Sequence, residues 1–238
     1  MTAFTLKIIA LITMIIDHVG AVFPQTGYEL RVIGRVAFPI YVYLVADGFR
    51  YTKSPAKFLT RLLIFAIISQ PFFAMALHRE NFSDISFIAN TNIFYTLFLG
   101  GLAITAYNWV RKQSVASQGV LICVAFLPLP ALMWLAEVAL TTDYGAYGVF
   151  FIFMMYLITD KKLRMAAMAV LCVWQHTWVL QGALDHGVQA VPIVVWMLIP
   201  ATLVSVLLVA LYNGKRGPSL KWFFYASYPM HLAILLIF

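Results

Sequence analysis

The sequence predicts an all-α fold: a polytopic integral membrane helical bundle of about nine transmembrane helices with a cytoplasmic N-terminus. Three observations carry this. Of the 238 residues 63% are hydrophobic and only 11% charged, with a mean hydropathy of +0.90, far more apolar surface than a water-soluble domain of this size can bury. The apolar residues fall into recurring long runs without period-2 alternation, so the bilayer's demand for internally satisfied backbone is met by helices and not by a barrel. The basic residues, finally, cluster after alternate runs.

The spans read as 6–23, 31–49, 62–77, 93–110, 119–139, 146–159, 165–181, 191–212 and 222–238. The first is a retained helix and not a cleaved signal peptide: it has one early lysine, holds Asp17 and His18, and lacks a small-x-small site. The second carries Pro39, which leaves the Arg35 carbonyl without its helical donor and predicts a kink; "DGFRYT" closes it with Asp47 and Arg50. In the third, Gln70 precedes Pro71, and the fourth opens at "NIFYT". The fifth holds Glu137. The sixth, "AYGVFFIFMMYLIT", is short for a crossing and is expected to start earlier, in "TTDYG". The seventh ends near "WQHTW", whose Trp174 and Trp178 read as an interfacial belt with His176 as a packing residue. The ninth follows Lys221.

Thirteen of the sixteen basic residues, Lys7 among them, fall on the side of the N-terminus and the even-numbered loops. Only Arg31, Arg35 and Arg79 lie on or near the other. The positive-inside rule then places the N-terminus in the cytoplasm and the C-terminus outside. The net charge of +7 follows from this topology and calls for no nucleic-acid partner. Cys123 and Cys172 both fall in apolar runs, as packed core residues and not as a disulfide or zinc framework. No linker, soluble domain or internal repeat is visible, so the chain reads as one transmembrane domain, 1–238; the loop 78–92 is the longest outside. The missing repeat argues against secondary transporters built from two related halves.

The sharpest chemical pattern lies in "ITMIIDHVGAVFP". A titratable side chain at bilayer depth costs roughly 2.5–3.5 kcal/mol on insertion scales, so a use for it is expected. Lys7 and His18 are eleven positions apart, about 20° past three full turns, which puts both on one stripe about 16 Å apart along the axis. Lys7 at the cytoplasmic mouth suits a phosphate; His18 near the membrane middle suits general-base work. The alternatives are a lysine snorkelling to headgroups and a packed histidine. Asp17 points about 100° from His18 and needs a partner on another helix. Arg35 is the best candidate, with Arg31 one turn before it on the same face. In "KWFFYASYPMHLAILLIF" His231 lies near the same depth as His18, Tyr228 is one turn before it, and Pro229 frees the Tyr225 carbonyl. The two histidines either line one cavity or are satisfied separately. No histidine spacing or thiolate partnership predicts a metal site, and no Gly-rich phosphate loop or serine elbow occurs.

The stretches "LKIIALITMIIDHVGAVF", "RVIGRVAFPIYVYLVADGFRYTKSPAKFLTRLLIFAIISQPFF", "NIFYTLFLGGLAI", "DYGAYGVFFI" and "FFYASYPMHLAIL" together resemble the TraX family of conjugal-transfer membrane proteins, in order from first span to last. The family looks related to acyltransferase-3 membrane enzymes, which carry a basic residue, ten intervening residues and a histidine on the first helix. Lys7 and His18 meet that spacing, with lysine where arginine is more usual. The resemblance implies an inner-membrane acetyltransferase that uses acetyl-CoA as donor and needs no metal. Its founding member is associated with N-terminal acetylation of conjugative pilin; the implied acceptor is an amine or hydroxyl of a peptide or glycan at the membrane. Acetyl-CoA would enter from the basic cytoplasmic side, with Lys7, Arg50 and Lys53 as its binding residues. His18 would be general base or acyl carrier. Asp17, Arg35, His231 and Tyr228 complete the catalytic candidates, Arg35 or Tyr228 stabilising the oxyanion. A proton- or anion-coupled transporter and a purely structural membrane subunit stay open as alternatives.

The charge asymmetry predicts that topology reporters fused after Phe238 and within 50–61 report opposite sides of the membrane. The same side for both would remove a crossing.

Overall fold

The computed structural model describes residues 1–26, 28–77, 90–112, 126–185 and 193–238. The helices are α1 (Ala3–Val22), α2 (Glu29–Gly34), α3 (Ala37–Tyr51), α4 (Pro55–Leu77), α5 (Ile93–Arg111), α6 (Pro128–Trp134), α7 (Gly145–Leu157), α8 (Lys161–Asp185), α9 (Ile193–Ala210) and α10 (Lys221–Leu235). A π turn over Leu135–Ala139 extends α6. Among the described residues there is no strand beyond one isolated bridge, Thr91 with Thr142. The fold is a helical membrane bundle. Among the described residues four stretches are long and apolar enough to cross a bilayer: Ala3–Val22, Glu29–Tyr51, Pro55–Leu77 and Ile93–Arg111. Pro128–Ala139, Gly145–Leu157 and Trp196–Ala210 are shorter apolar helices.

Several boundaries differ from the sequence expectation. The second span is not one kinked helix but two: α2 ends at Gly34, and the amide of Arg35 bonds back to Val32 O at 3.2 Å before α3 begins. Pro39 makes this break natural, because it withholds the donor that the Arg35 carbonyl would use. The third helix starts at Pro55 and not at 62, so Lys57 and Arg61 are helical and the connection shrinks to a few residues. The seventh starts at Lys161, where Asp160 Oδ1 accepts from Leu163 N at 2.8 Å. The sixth does begin in "TTDYG", at Gly145, yet has only 13 residues, about 20 Å of helix. Cys172 is buried as expected. Cys123, residues 119–125 of the fifth span, 191–192 of the eighth, and most of the 78–92 loop lie outside the described residues.

The chain forms two compact units, Met1–Leu44 with Ile158–Phe238, and Val45–Leu157. In the first, Leu6, Ile40, Val42, Met168 and Leu232 are fully buried. Its α1 is capped by its own unit: Thr2 accepts from Thr5 N at 3.2 Å, while Ala3 N and Phe4 N donate to Lys215 O and Arg216 O at 2.9 and 3.1 Å. The helices α1 and α10 run parallel, since Phe4 packs edge-on to Phe224 (centroids 5.9 Å apart) and His18 meets His231 fourteen and seven residues further on.

The second unit is closed by polar clamps. Asn92 caps α5 through Oδ1 to Phe94 N at 3.1 Å, while its Nδ2 donates to Ala66 O and Gln70 Oε1, both at 2.8 Å. Pro71 sits beside that glutamine within α4. The Thr96 hydroxyl donates to the Asp143 carbonyl. Glu137, in the π turn, accepts from Ala146 N at 2.9 Å; Gly145, at φ +45°, is where the chain comes so close that a Cβ would lie 2.0 Å from Glu137 Oε2.

Asn92→Ala is expected to lower stability by roughly 1–3 kcal/mol, because buried partners lose their hydrogen bonds. Asn92→Asp keeps the cap but sets a buried carboxylate oxygen against the Ala66 and Gln70 acceptors, and should fall further. Thermal melts in detergent check the order; a parent-like Asn92→Ala would show that the clamp carries no weight.

Candidate functional site in the first unit

Two adjacent residues of α1 face two different neighbours. Asp17 meets the α2 end of the second span. Its Oδ2 accepts from Arg31 Nη1 at 2.7 Å and its Oδ1 from Arg35 Nη2 at 2.5 Å, so one carboxylate holds two guanidiniums. The sequence reading had named Arg35 as the partner; Arg31 shares the task. The helix break lets Arg35 reach. Because its backbone amide turns to Val32, the Arg31 carbonyl lacks its usual donor, and Arg35 Nε supplies one at 3.1 Å. Gly34 is the other requirement: a Cβ there would sit 2.2 Å from Asp17 Cβ. Side-chain exposure of 31% for Arg31, 18% for Arg35 and 12% for Asp17 leaves the cluster partly open.

His18 points instead at α10. Its Nδ1 lies 2.6 Å from His231 Nε2, and the ring planes are parallel within 1° at a centroid separation of 4.9 Å. That separation is the N···N distance plus a ring radius at each end, so the imidazoles lie end to end in one plane and are not stacked face to face. His231 Nδ1 lies 2.9 Å from the Ser227 carbonyl oxygen. Tyr228 packs edge-on against both rings, at 5.8 Å from His18 and 5.4 Å from His231, each at 71°. Both histidines and the tyrosine are buried. Among the described residues no hydrogen bond reaches His18 Nε2, the ring nitrogen left for chemistry.

The Lys7–His18 stripe is real: Lys7 Nζ stands 5.5 Å from the centre of the Phe224 ring, and His18 meets Tyr228 and His231, all on α10. Arg216 is near enough to act on Lys7 electrostatically. Arg50 and Lys53 belong to the second unit. Arg50 Nη2 donates to Met155 O and Tyr156 O at 3.1 and 2.6 Å, closing the C-terminus of α7, while Lys53 is exposed in the turn before α4. His176 is buried and bonded to Thr202 Oγ1 at 2.6 Å, a satisfied packing residue. No three histidine, cysteine or acidic side chains converge as metal ligands among the described residues.

The sequence had left open whether His18 and His231 meet; they do. It missed Gly34 and the Ser227 carbonyl. Only Pro229, two residues beyond Ser227, hinted that carbonyls in this turn are unusual.

The family model described as "TraX protein" matches residues 3–238. The chain belongs to the TraX family. It is 31% identical to a probable fimbrial assembly protein FimC, serogroup H1, of Dichelobacter nodosus, over 98% of this chain and 94% of the relative. An uncharacterized protein of Rickettsia prowazekii (strain Madrid E) is 28% identical over 47% of this chain and 38% of its own length. No solved structure matches.

Asp17→Asn leaves two guanidiniums without their carboxylate, and breaking a buried pair costs about 3–5 kcal/mol. Melting in detergent should drop accordingly, and Gly34→Ala should shift it the same way by displacing Asp17. Adding Arg35→Gln to Asp17→Asn should recover only part of the loss, because Arg31 stays unpaired. Full recovery by Arg35→Gln would mean that Arg31 contributes nothing.

Proposed function

We propose that this chain is an integral membrane acetyltransferase that moves an acetyl group from acetyl-CoA to an amine or hydroxyl at the membrane. The observation that carries the reading is His18: a buried imidazole with one nitrogen held by His231, the other without a hydrogen bond, and Lys7 on the same stripe. A buried base with an open nitrogen is what abstraction of a proton from an acceptor needs. Lys7 and Arg216, together on the side of the α1 N-terminus, supply charge for the coenzyme A phosphates. In the second unit Lys53 is exposed, and Arg50 is first a helix clamp.

In the step proposed, the acceptor N–H or O–H gives its proton to His18 Nε2 as its lone pair attacks the thioester carbonyl carbon. The oxyanion formed falls in the field of the guanidiniums of Arg31 and Arg35, and Tyr228 walls the imidazoles. The carbon–sulfur bond then breaks, and the coenzyme A thiolate takes the proton from Nε2. His18 ends as it began. The acceptor favoured is the N-terminus of a pilus-type subunit, on the name of the Dichelobacter relative and the family's association with conjugative pilin. An inner-membrane, multi-pass setting with a cytoplasmic N-terminus suits a cytoplasmic donor.

Purified protein in nanodiscs, supplied with acetyl-CoA and an acceptor peptide, should release coenzyme A. His18→Ala should lower kcat roughly 10²–10⁴-fold. Lys7→Ala should mainly raise the KM for acetyl-CoA, because it removes binding common to ground and transition states. In cells, mass spectrometry of envelope proteins should show a one-acetyl shift that needs His18. No such shift, and no acetyl-CoA consumption by purified protein, would sink the reading.

A further inference from the structure

We propose that His231 is the positioning residue of this site: it fixes which nitrogen of His18 is the base and shares the charge when that base takes a proton. The inference rests on the reading of His18 as a general base.

Proton positions follow from the hydrogen-bond chain. The Ser227 carbonyl oxygen can only accept, so His231 Nδ1, 2.9 Å away, carries hydrogen. A neutral imidazole has one such hydrogen, so His231 Nε2 presents a lone pair. That lone pair faces His18 Nδ1 at 2.6 Å, which must therefore donate. His18 is then protonated on Nδ1, and its Nε2, the nitrogen without a hydrogen bond, is the base. The hydrogen bond made by one imidazole nitrogen sets the state of the other, and here two imidazoles apply that rule in series.

Three features hold the chain in register. The rings lie in one plane, so the His18 N–H points along the His231 lone pair. Tyr228 closes on both rings at the same 71° and opposes their rotation. Pro229, inside α10, has no N–H for the Tyr225 carbonyl, and two residues before it Ser227 O meets its own helix's histidine side chain. When Nε2 accepts the acceptor's proton, the positive charge spreads along Nδ1–H toward His231 and the carbonyl. It collapses when Nε2 hands that proton to the leaving thiolate. The Nδ1 proton stays within the pair throughout.

The test is nitrogen NMR of the full chain in nanodiscs, with ¹⁵N-labelled histidine, alongside acetyl-CoA turnover. The parent should show both His18 and His231 protonated on Nδ1 and bare on Nε2. His231→Phe keeps a ring but has no acceptor: His18 should shift its proton to Nε2, and kcat should fall roughly 10²-fold or more with little change in KM. His231→Gln offers an oxygen to the same N–H; it should keep the Nδ1 form and retain activity between parent and His231→Phe, which keeps the test decisive even where His231→Phe folds poorly. A parent that turns over acetyl-CoA with His18 protonated on Nε2 overturns the inference alone, as does a His231→Phe whose His18 tautomer is unchanged. A parent with the Nδ1 form and no turnover of acetyl-CoA with any acceptor overturns the acetyltransferase reading beneath it.

Discussion

The arrangement of the first unit depends on one buried carboxylate. Asp17 in an apolar helix is tolerable only if its charge is answered, and the nearest answers are Arg31 and Arg35 on the next span. To deliver both, the second span must break after Gly34, and Gly34 must have no side chain. Ion pair, helix break and glycine are thus one constraint seen three times. It also fixes the roll of α1. With Asp17 committed to the arginines, its neighbour, about 100° around the helix, is turned to a different helix, and that helix is α10 with His231. The salt bridge orients the histidine without touching it.

How far the sequence foretold this can be judged residue by residue. Asp17 and an arginine partner were legible because isolated charges in lipid have few options, and Lys7 with His18 was legible because helical spacing is arithmetic. The contact of His18 with His231 was not, because 213 residues separate them and no local pattern pairs helices that far apart. Gly34 was silent too, since a glycine's role is defined by what comes near it. The late starts assigned to the third and seventh helices have a plain cause. Lys57 and Arg61, and likewise Lys161, Lys162 and Arg164, were read as loop because they are charged, yet they occupy the first two turns of helices. Side-chain bonds reward them there: Lys161 Nζ donates to Ala210 O at 3.1 Å, and Arg164 stacks 3.9 Å above Tyr43. Charge marks where a membrane helix leaves the apolar layer, not where its hydrogen bonding ends.

The two units use polar groups in opposite ways. Asn92 places both ends of its amide in bonds, Glu137 caps a helix, and Arg50 closes the end of α7. Such groups hold backbone together, and Asn92, the fully buried one, has partners that explain its burial. His176, bonded to Thr202, is of the same kind in the first unit. His18 differs. It is as buried as His176, yet one of its two nitrogens takes no bond among the described residues. That difference, with its depth and its spacing from Lys7, sets it apart from the clamps.

It also bears on why the partner of His18 is an imidazole. In serine-type triads a carboxylate orients the histidine and answers the charge that forms on it. Here the adjacent carboxylate of Asp17 is already divided between two arginines, and a second buried acid would add a standing charge in a low-dielectric layer. A neutral imidazole anchored to a carbonyl adds none at rest, accepts one hydrogen bond in a set direction, and is polarisable when charge arrives. It stabilises the protonated base less than a carboxylate would, so the proton is released more readily to a leaving group. In the acetyl transfer proposed above, where the leaving thiolate is a weak base and good leaving group, a lightly held proton suffices. The membrane setting and the proposed chemistry therefore favour the same partner.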